Sequence, residues 1–166
     1  MYEVGTRIVY GSSGVCEVSA VCETEFSKNG QVYYTLTPVG TTSCVYVPVD
    51  SEPLTARMRP LYTPDALREA LSSAGGERLE WIDNAHLRGK YFQEVLLSCD
   101  PAQMFRLVQT LYHRAQMLAE RGKKNLMADE AILKKAERIL FGEISEVLGI
   151  GRKELPAFLE ELSCLR

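Results

Sequence analysis

Apolar positions in the first fifty residues recur at the two-residue spacing of half-buried strands, broken at short intervals by turn residues. Arg7-Ile8-Val9-Tyr10 is a β-rich run that ends at Gly11-Ser12-Ser13-Gly14. Val15 to Thr24 alternates apolar with polar or small residues. Phe26-Ser27-Lys28-Asn29-Gly30 then reads as a turn, its Asn-Gly pair suited to positive φ. Gln31 to Thr37 predicts a third strand, Gly40-Thr41-Thr42-Ser43 another turn, and Cys44 to Val49 a fourth strand. Pro48 has no N–H to give to a ladder, so it belongs at an edge or a strand end. Short strands joined by such turns predict a small barrel, because closure hides the edges of so few strands.

The pattern changes between Asp50 and Pro64, a seam holding Pro53, Pro60 and Pro64. Beyond it, β-branched residues give way to Leu, Ala, Glu and Arg at three- and four-residue spacing. Thr63-Pro64-Asp65 is a helix start, and that helix should run to about Ala74 and stop at Gly75-Gly76. A second helical region spans about Leu79 to Ser98. A third begins with Asp100 as N-cap and Pro101 at the first position, and runs to Arg121. A fourth covers about Ala128 to Leu148, and a shorter fifth covers Arg152 to Leu165. The expected fold is therefore α+β in two modules. Residues 1–55 form a Tudor- or SH3-like β-barrel, and residues 56–166 form an all-α domain of about five helices. So small a barrel is marginal alone, and the first helix or the seam is expected to pack against it.

Composition narrows the classes. Of 166 residues, 46% are hydrophobic and 25% charged, which suits a globular chain rather than a disordered one. The N-terminus lacks a basic segment followed by an apolar run, and no stretch approaches the roughly 18 apolar residues of a membrane helix. A soluble, cytoplasmic protein without a membrane partner is expected. Cys16, Cys22, Cys44, Cys99 and Cys164 form no CxxC pair, and neither His86 nor His113 sits at ligand spacing from one. Reduced, mostly buried thiols are expected, with no metal and no cofactor. Gly11-Ser12-Ser13-Gly14 has no Lys at the spacing of a phosphate loop. No nucleophile–base pair stands out, so a non-enzyme without a small-molecule substrate is expected.

Net charge is −3, yet the positive charges are not evenly spread. Between His86 and Lys124, seven basic residues (Arg88, Lys90, Arg106, Arg114, Arg121, Lys123, Lys124) face three acidic ones. Such an excess can make one cationic face on an acidic molecule. Lys123-Lys124, with Arg88, Lys90 and Arg114 near in sequence, are candidate phosphate contacts, though cations also suit a helix C-terminus. Trp81, the only tryptophan, reads either as a core anchor between helices or as an apolar wedge into a DNA groove. Glu146 to Leu155 has the outline of a helix-turn-helix reader led by Arg152 and Lys153.

The ordered set Val4-Gly5-x-x-Ile8-Val9-Tyr10, Gly14-Val15, Tyr33-Tyr34-x-Leu36 and Val45-x-Val47-Pro48 resembles the N-terminal module of the CarD/CdnL family of bacterial transcription regulators. Arg88-x-Lys90, Ser98-x-Asp100, Leu111-Tyr112-x-Arg114 and Ala136-Glu137-x-x-Leu140-x-x-Glu143 resemble its helical domain. The resemblance implies a Tudor-like module that binds the β subunit of RNA polymerase, here through the strand edge at Val45, Tyr46, Val47 and Pro48. It implies a helical domain that binds promoter DNA through phosphates and the minor groove, with a tryptophan as wedge, and so modulates open-complex stability. Arg88, Lys90, Arg114, Lys123 and Lys124 are then the expected phosphate contacts and Trp81 the expected wedge. Two departures stand out. The family tryptophan aligns nearest Ala85, one helical turn after Trp81, and positions basic in some relatives fall at about Thr24 and Tyr46. The alternatives are a protein–protein adaptor that never touches DNA, or a helix-turn-helix repressor.

Overall fold

The computed structural model describes residues 1–164. Five strands form one antiparallel sheet in the order β4-β3-β2-β1-β5. They are β1 (Arg7–Tyr10), β2 (Gly14–Glu23), β3 (Val32–Pro38), β4 (Val45–Pro48) and β5 (Met58–Pro60). Alternation sends Ile8, Cys16 and Val18 to the inside of the curled sheet and Val9 and Val15 to the opposite face. Val47 and Met58, on strands at opposite edges, lie in the same buried cluster, which is how the sheet curls towards a barrel. A bulge between Val18 and Ala20 bends β2 along the way.

The seam is part of this sheet. Met58-Arg59-Pro60 pairs with β1 in the register Tyr10↔Met58 and Ile8↔Pro60, so the β module continues past the expected boundary at residue 55. Its sequence carries no β-branched residue and ends in proline, so nothing local marks it as a strand. The open edge of β1 makes it one, and Pro60 is tolerated because it ends an edge strand. Before it, the short helix α1 (Glu52–Thr55) lays Leu54 against the barrel core.

Five further helices follow: α2 (Pro64–Ala74), α3 (Ala85–Ser98), α4 (Pro101–Glu120), α5 (Met127–Leu148) and α6 (Leu155–Cys164). Thr63, Asn84 and Asp100 cap the first three of them. Asn84 Oδ1 accepts from the N–H groups of His86 and Leu87 at 3.0 Å, and Asp100 Oδ1 from that of Ala102 at 2.8 Å. Their inward stripes meet in one core around Leu71, Phe92, Phe105, Leu107, Leu140 and Ile144. The helical region expected from about Leu79 starts only at Ala85. The segment before it is a loop whose backbone is satisfied from α4 instead. Gln109 Nε2 donates to the carbonyls of Ala74 and Glu77 at 2.9 and 3.0 Å, and Thr110 Oγ1 accepts from the N–H of Leu79 at 2.8 Å. Arg152 and Lys153 lie in the turn before α6, not on it. Among the described cysteines, Cys16 and Cys99 are buried and Cys22 and Cys44 exposed. Burial pushes the Cys16 thiol up to about 11.

The modules are packed against each other. The seam contributes, as expected, but the main helical partners are α5 and the end of α3 rather than α2. Val9, Val15, Cys99 and Leu61 form a small apolar cluster between them. At Gly14, where β2 starts beside Ile139 of α5, φ is +79°, a backbone conformation that favours glycine. Arg59 on β5 forms a bidentate ion pair with Glu143 on α5 at 2.7 and 2.6 Å, and its Nε donates to the carbonyl of Cys99. The Glu143 side chain is 2% exposed. Arg138 donates to the carbonyl of Ser12, and Arg7 pairs with Glu146. Removing one partner of a buried pair strands the other charge. Arg59→Ala should therefore lower unfolding stability by about 3–5 kcal/mol in a urea titration. A loss below about 1 kcal/mol would show that the pair is not holding the modules together.

Candidate functional site

The outer edge of β4 is the first candidate surface. The N–H of Val49 donates to the carbonyl of Val32 at 3.0 Å, which fixes the parity of the β3–β4 ladder. Val47 and Val45 then turn their backbone groups inward to β3, while Tyr46 and Pro48 turn theirs outward. Pro48 has only a carbonyl to offer, and it accepts from the N–H of Ser51 at 3.2 Å. Tyr46 is thus the position in β4 with both backbone groups directed away from the sheet. Of the four predicted residues, Val47 is fully buried core, Val45 and Pro48 are half-buried, and Tyr46 is exposed.

Sequence reasoning missed what lies beside Tyr46. Phe26, read as a turn residue, stands 51% exposed with its ring edge-to-face against Tyr46 at 4.8 Å and Tyr33 at 5.4 Å. The Tyr33 hydroxyl donates to Gln31 Oε1, and Gln31 Nε2 donates to Asp50. The fold unites three aromatic residues from the β2–β3 turn, β3 and β4. A signal existed, since an aromatic in a Ser-Lys-Asn-Gly turn has no core to enter, but its partners are distant in sequence.

The second candidate surface is the start of α3 and α5. Here Arg88 requires a correction. Its side chain is 3% exposed, its Nε and Nη2 reach both carboxylate oxygens of Asp129 at 3.2 and 2.9 Å, and Nη1 donates to the carbonyls of Ile82 and Asp83. A phosphate cannot reach it. Arg88 also stacks on the Trp81 ring at 4.3 Å, Arg114 does so at 4.6 Å, and Phe92 meets the indole edge-on at 6.3 Å. Trp81 is therefore a half-buried anchor of the loop before α3, and its partners would have to be given up for it to enter a base step. Arg106 pairs with Glu77.

Lys90, Lys123 and Lys124 are exposed. Lys90 lines a groove of about 830 Å³ between α3 and α5, together with His86, Lys135 and the small residues Ala85, Gly89 and Ala131. Lys123 and Lys124 lie in the loop that leads into α5 at the same end. Large apolar side chains are exposed there too: Leu87 in the first turn of α3, and Leu126 and Met127 at the start of α5. Among the described residues no cluster of His, Cys, Asp and Glu could hold a metal, and no helix is long and apolar enough to cross a membrane.

The buried role of Arg88 is open to measurement. Arg88→Ala should destabilise the fold by about 3–5 kcal/mol in denaturant titration, because it leaves Asp129 buried and unpaired. It should also shift the emission of Trp81, the only tryptophan, in the folded state. Wild-type stability and an unmoved spectrum would return Arg88 to the surface.

No curated protein matches the chain. Residues 2–62, which span the five strands and most of the seam, match the family model described as the CarD-like/TRCF RID domain, so the β module is similar to that domain.

Proposed function

We propose that the protein is a transcription regulator. Its β module binds RNA polymerase, at the β subunit, and its helical module touches promoter DNA beside it and alters open-complex stability. The match of residues 2–62 carries the polymerase half of this reading. The outward N–H and carbonyl of Tyr46 support strand addition there, where backbone groups supply affinity whatever the side chains.

The DNA half rests on the exposed cations at the start of α3 and α5. Lys90, Lys123 and Lys124 would neutralise phosphates, with His86 and Lys135 flanking. Arg88 leaves the phosphate set because it is buried, and Arg114 is half-occupied by Trp81. A wedge role passes from Trp81 to Leu87, Leu126 or Met127, which are exposed beside those lysines in sequence. A wedge that enters only unstacked DNA binds the open form better, and that difference in affinity is what shifts the equilibrium.

The test is DNA affinity against salt, measured on a promoter fragment with polymerase present. Replacing Lys90, Lys123 and Lys124 by Ala should weaken binding and flatten the slope of log K on log salt by about 0.9 for each phosphate no longer neutralised. An unchanged slope would remove these lysines from the interface. Retained polymerase binding with no DNA contribution at all would favour the adaptor reading, to which the burial of Arg88 lends weight.

A further inference from the structure

The corner of the sheet around Phe26 holds the exposed aromatic rings of the β module, beyond the scattered valines Val4 and Val39. Ile8, Val18, Leu36 and Val47 are fully buried, yet Phe26 is 51%, Tyr46 44% and Val32 37% exposed at this corner. Folding gains little from burying these rings, since so much of them stays in water. They are nonetheless ordered against one another in edge-to-face contacts, Phe26 with Tyr46 and Phe26 with Tyr33. Rings held in place before binding lose little conformational freedom on docking, and aromatic anchors of this kind dominate interface energetics. The corner adjoins the outward backbone groups of Tyr46, so one partner could add a strand and receive the rings together.

The charges around the rings say what that partner carries. Glu23 and Glu25 flank the β2–β3 turn, and Asp50 is tied through Gln31 to the Tyr33 hydroxyl; all three are exposed, with Lys28 opposing them. An acidic rim disfavours an acidic partner and favours a basic one, and it does so mostly through the encounter rate. Resting on the polymerase reading of this module, we infer that Phe26 and Tyr46 are the anchor of the interface. They enter an apolar pocket of the polymerase surface rimmed by Arg or Lys.

The experiment uses the full chain and purified core RNA polymerase of the source organism, with affinity measured at low and high salt. Phe26→Ala and Tyr46→Ala should each weaken binding by about tenfold or more, and the double variant by less than the product, because the two rings touch. Glu23→Lys with Glu25→Lys should weaken it too, and added salt should weaken the wild type. Both rings are exposed, so thermal unfolding of each variant should match the wild type, which separates a damaged interface from a damaged fold. Wild-type affinity in both ring variants, or tighter binding after the Glu→Lys changes, would overturn the inference and leave the polymerase reading standing. No polymerase binding by the wild-type chain would end that reading and this inference with it. If sedimentation shows a dimer that Phe26→Ala dissociates with polymerase affinity unchanged, the corner serves a second copy and the inference falls.

Discussion

The guanidinium of Arg59 reaches from the last strand of the sheet into the helical layer, and much of the architecture depends on what it meets there. Both Nη groups bind Glu143, Nε binds the carbonyl of Cys99 at the junction of α3 and α4, and the ring of Tyr62 lies 4.8 Å away. A carboxylate as deeply buried as Glu143 is tolerable only with its charge paired and its oxygens hydrogen-bonded. The pair therefore penalises any arrangement of strand and helix in which the partners do not meet. Around it, β2 starts at Gly14 beside Ile139 and the Val9–Val15–Cys99 cluster excludes water. The two modules are joined by a shared interior, not merely by a linker.

The same logic governs Arg88, whose side chain is buried outright. Arg88 holds Asp129 at the first turn of α5, two carbonyls of the loop before α3, and one face of Trp81. These contacts tie together three segments distant in sequence and orient the α3–α5 groove. They also use up three features that look functional in the sequence: an arginine in a basic stretch, a lone tryptophan, and a second arginine stacked on it. What remains at the surface is a smaller set of lysines beside exposed Leu87, Leu126 and Met127. Arginine suits the buried positions because its planar fork satisfies two carboxylate oxygens at once and stacks on a ring, whereas lysine keeps a compact, strongly hydrated charge.

The open edge at β4 and the lysine-bearing end of α3 and α5 belong to one packed body. Partners engaging both surfaces would be held at a set distance, which a flexible linker between modules would not provide. Under the proposed function, such rigidity would make a DNA contact intramolecular once polymerase is bound.

Local chemistry was enough to read most of the elements from the chain. Alternation placed β1 to β4 within a residue or two, Thr63-Pro64 and Gly75-Gly76 placed the two ends of α2, and Asp100-Pro101 placed the start of α4. These signals act between neighbours, and neighbours are what a sequence displays. Strand β5 was not legible, because Met58-Arg59-Pro60 becomes a strand only beside the free edge of β1. The loop before α3 was not legible either, since Gln109 and Thr110 satisfy it from another helix. Nor could charge counts separate Arg88 from Lys90, two residues apart on one helix, because burial depends on which neighbour faces each side chain. Composition and periodicity determined that there is a small sheet, then helices, with a cationic bias in the middle. Which cations reach water, and that Phe26 meets Tyr46 at an open edge, only the tertiary structure decided, because both depend on contacts between residues far apart in the chain.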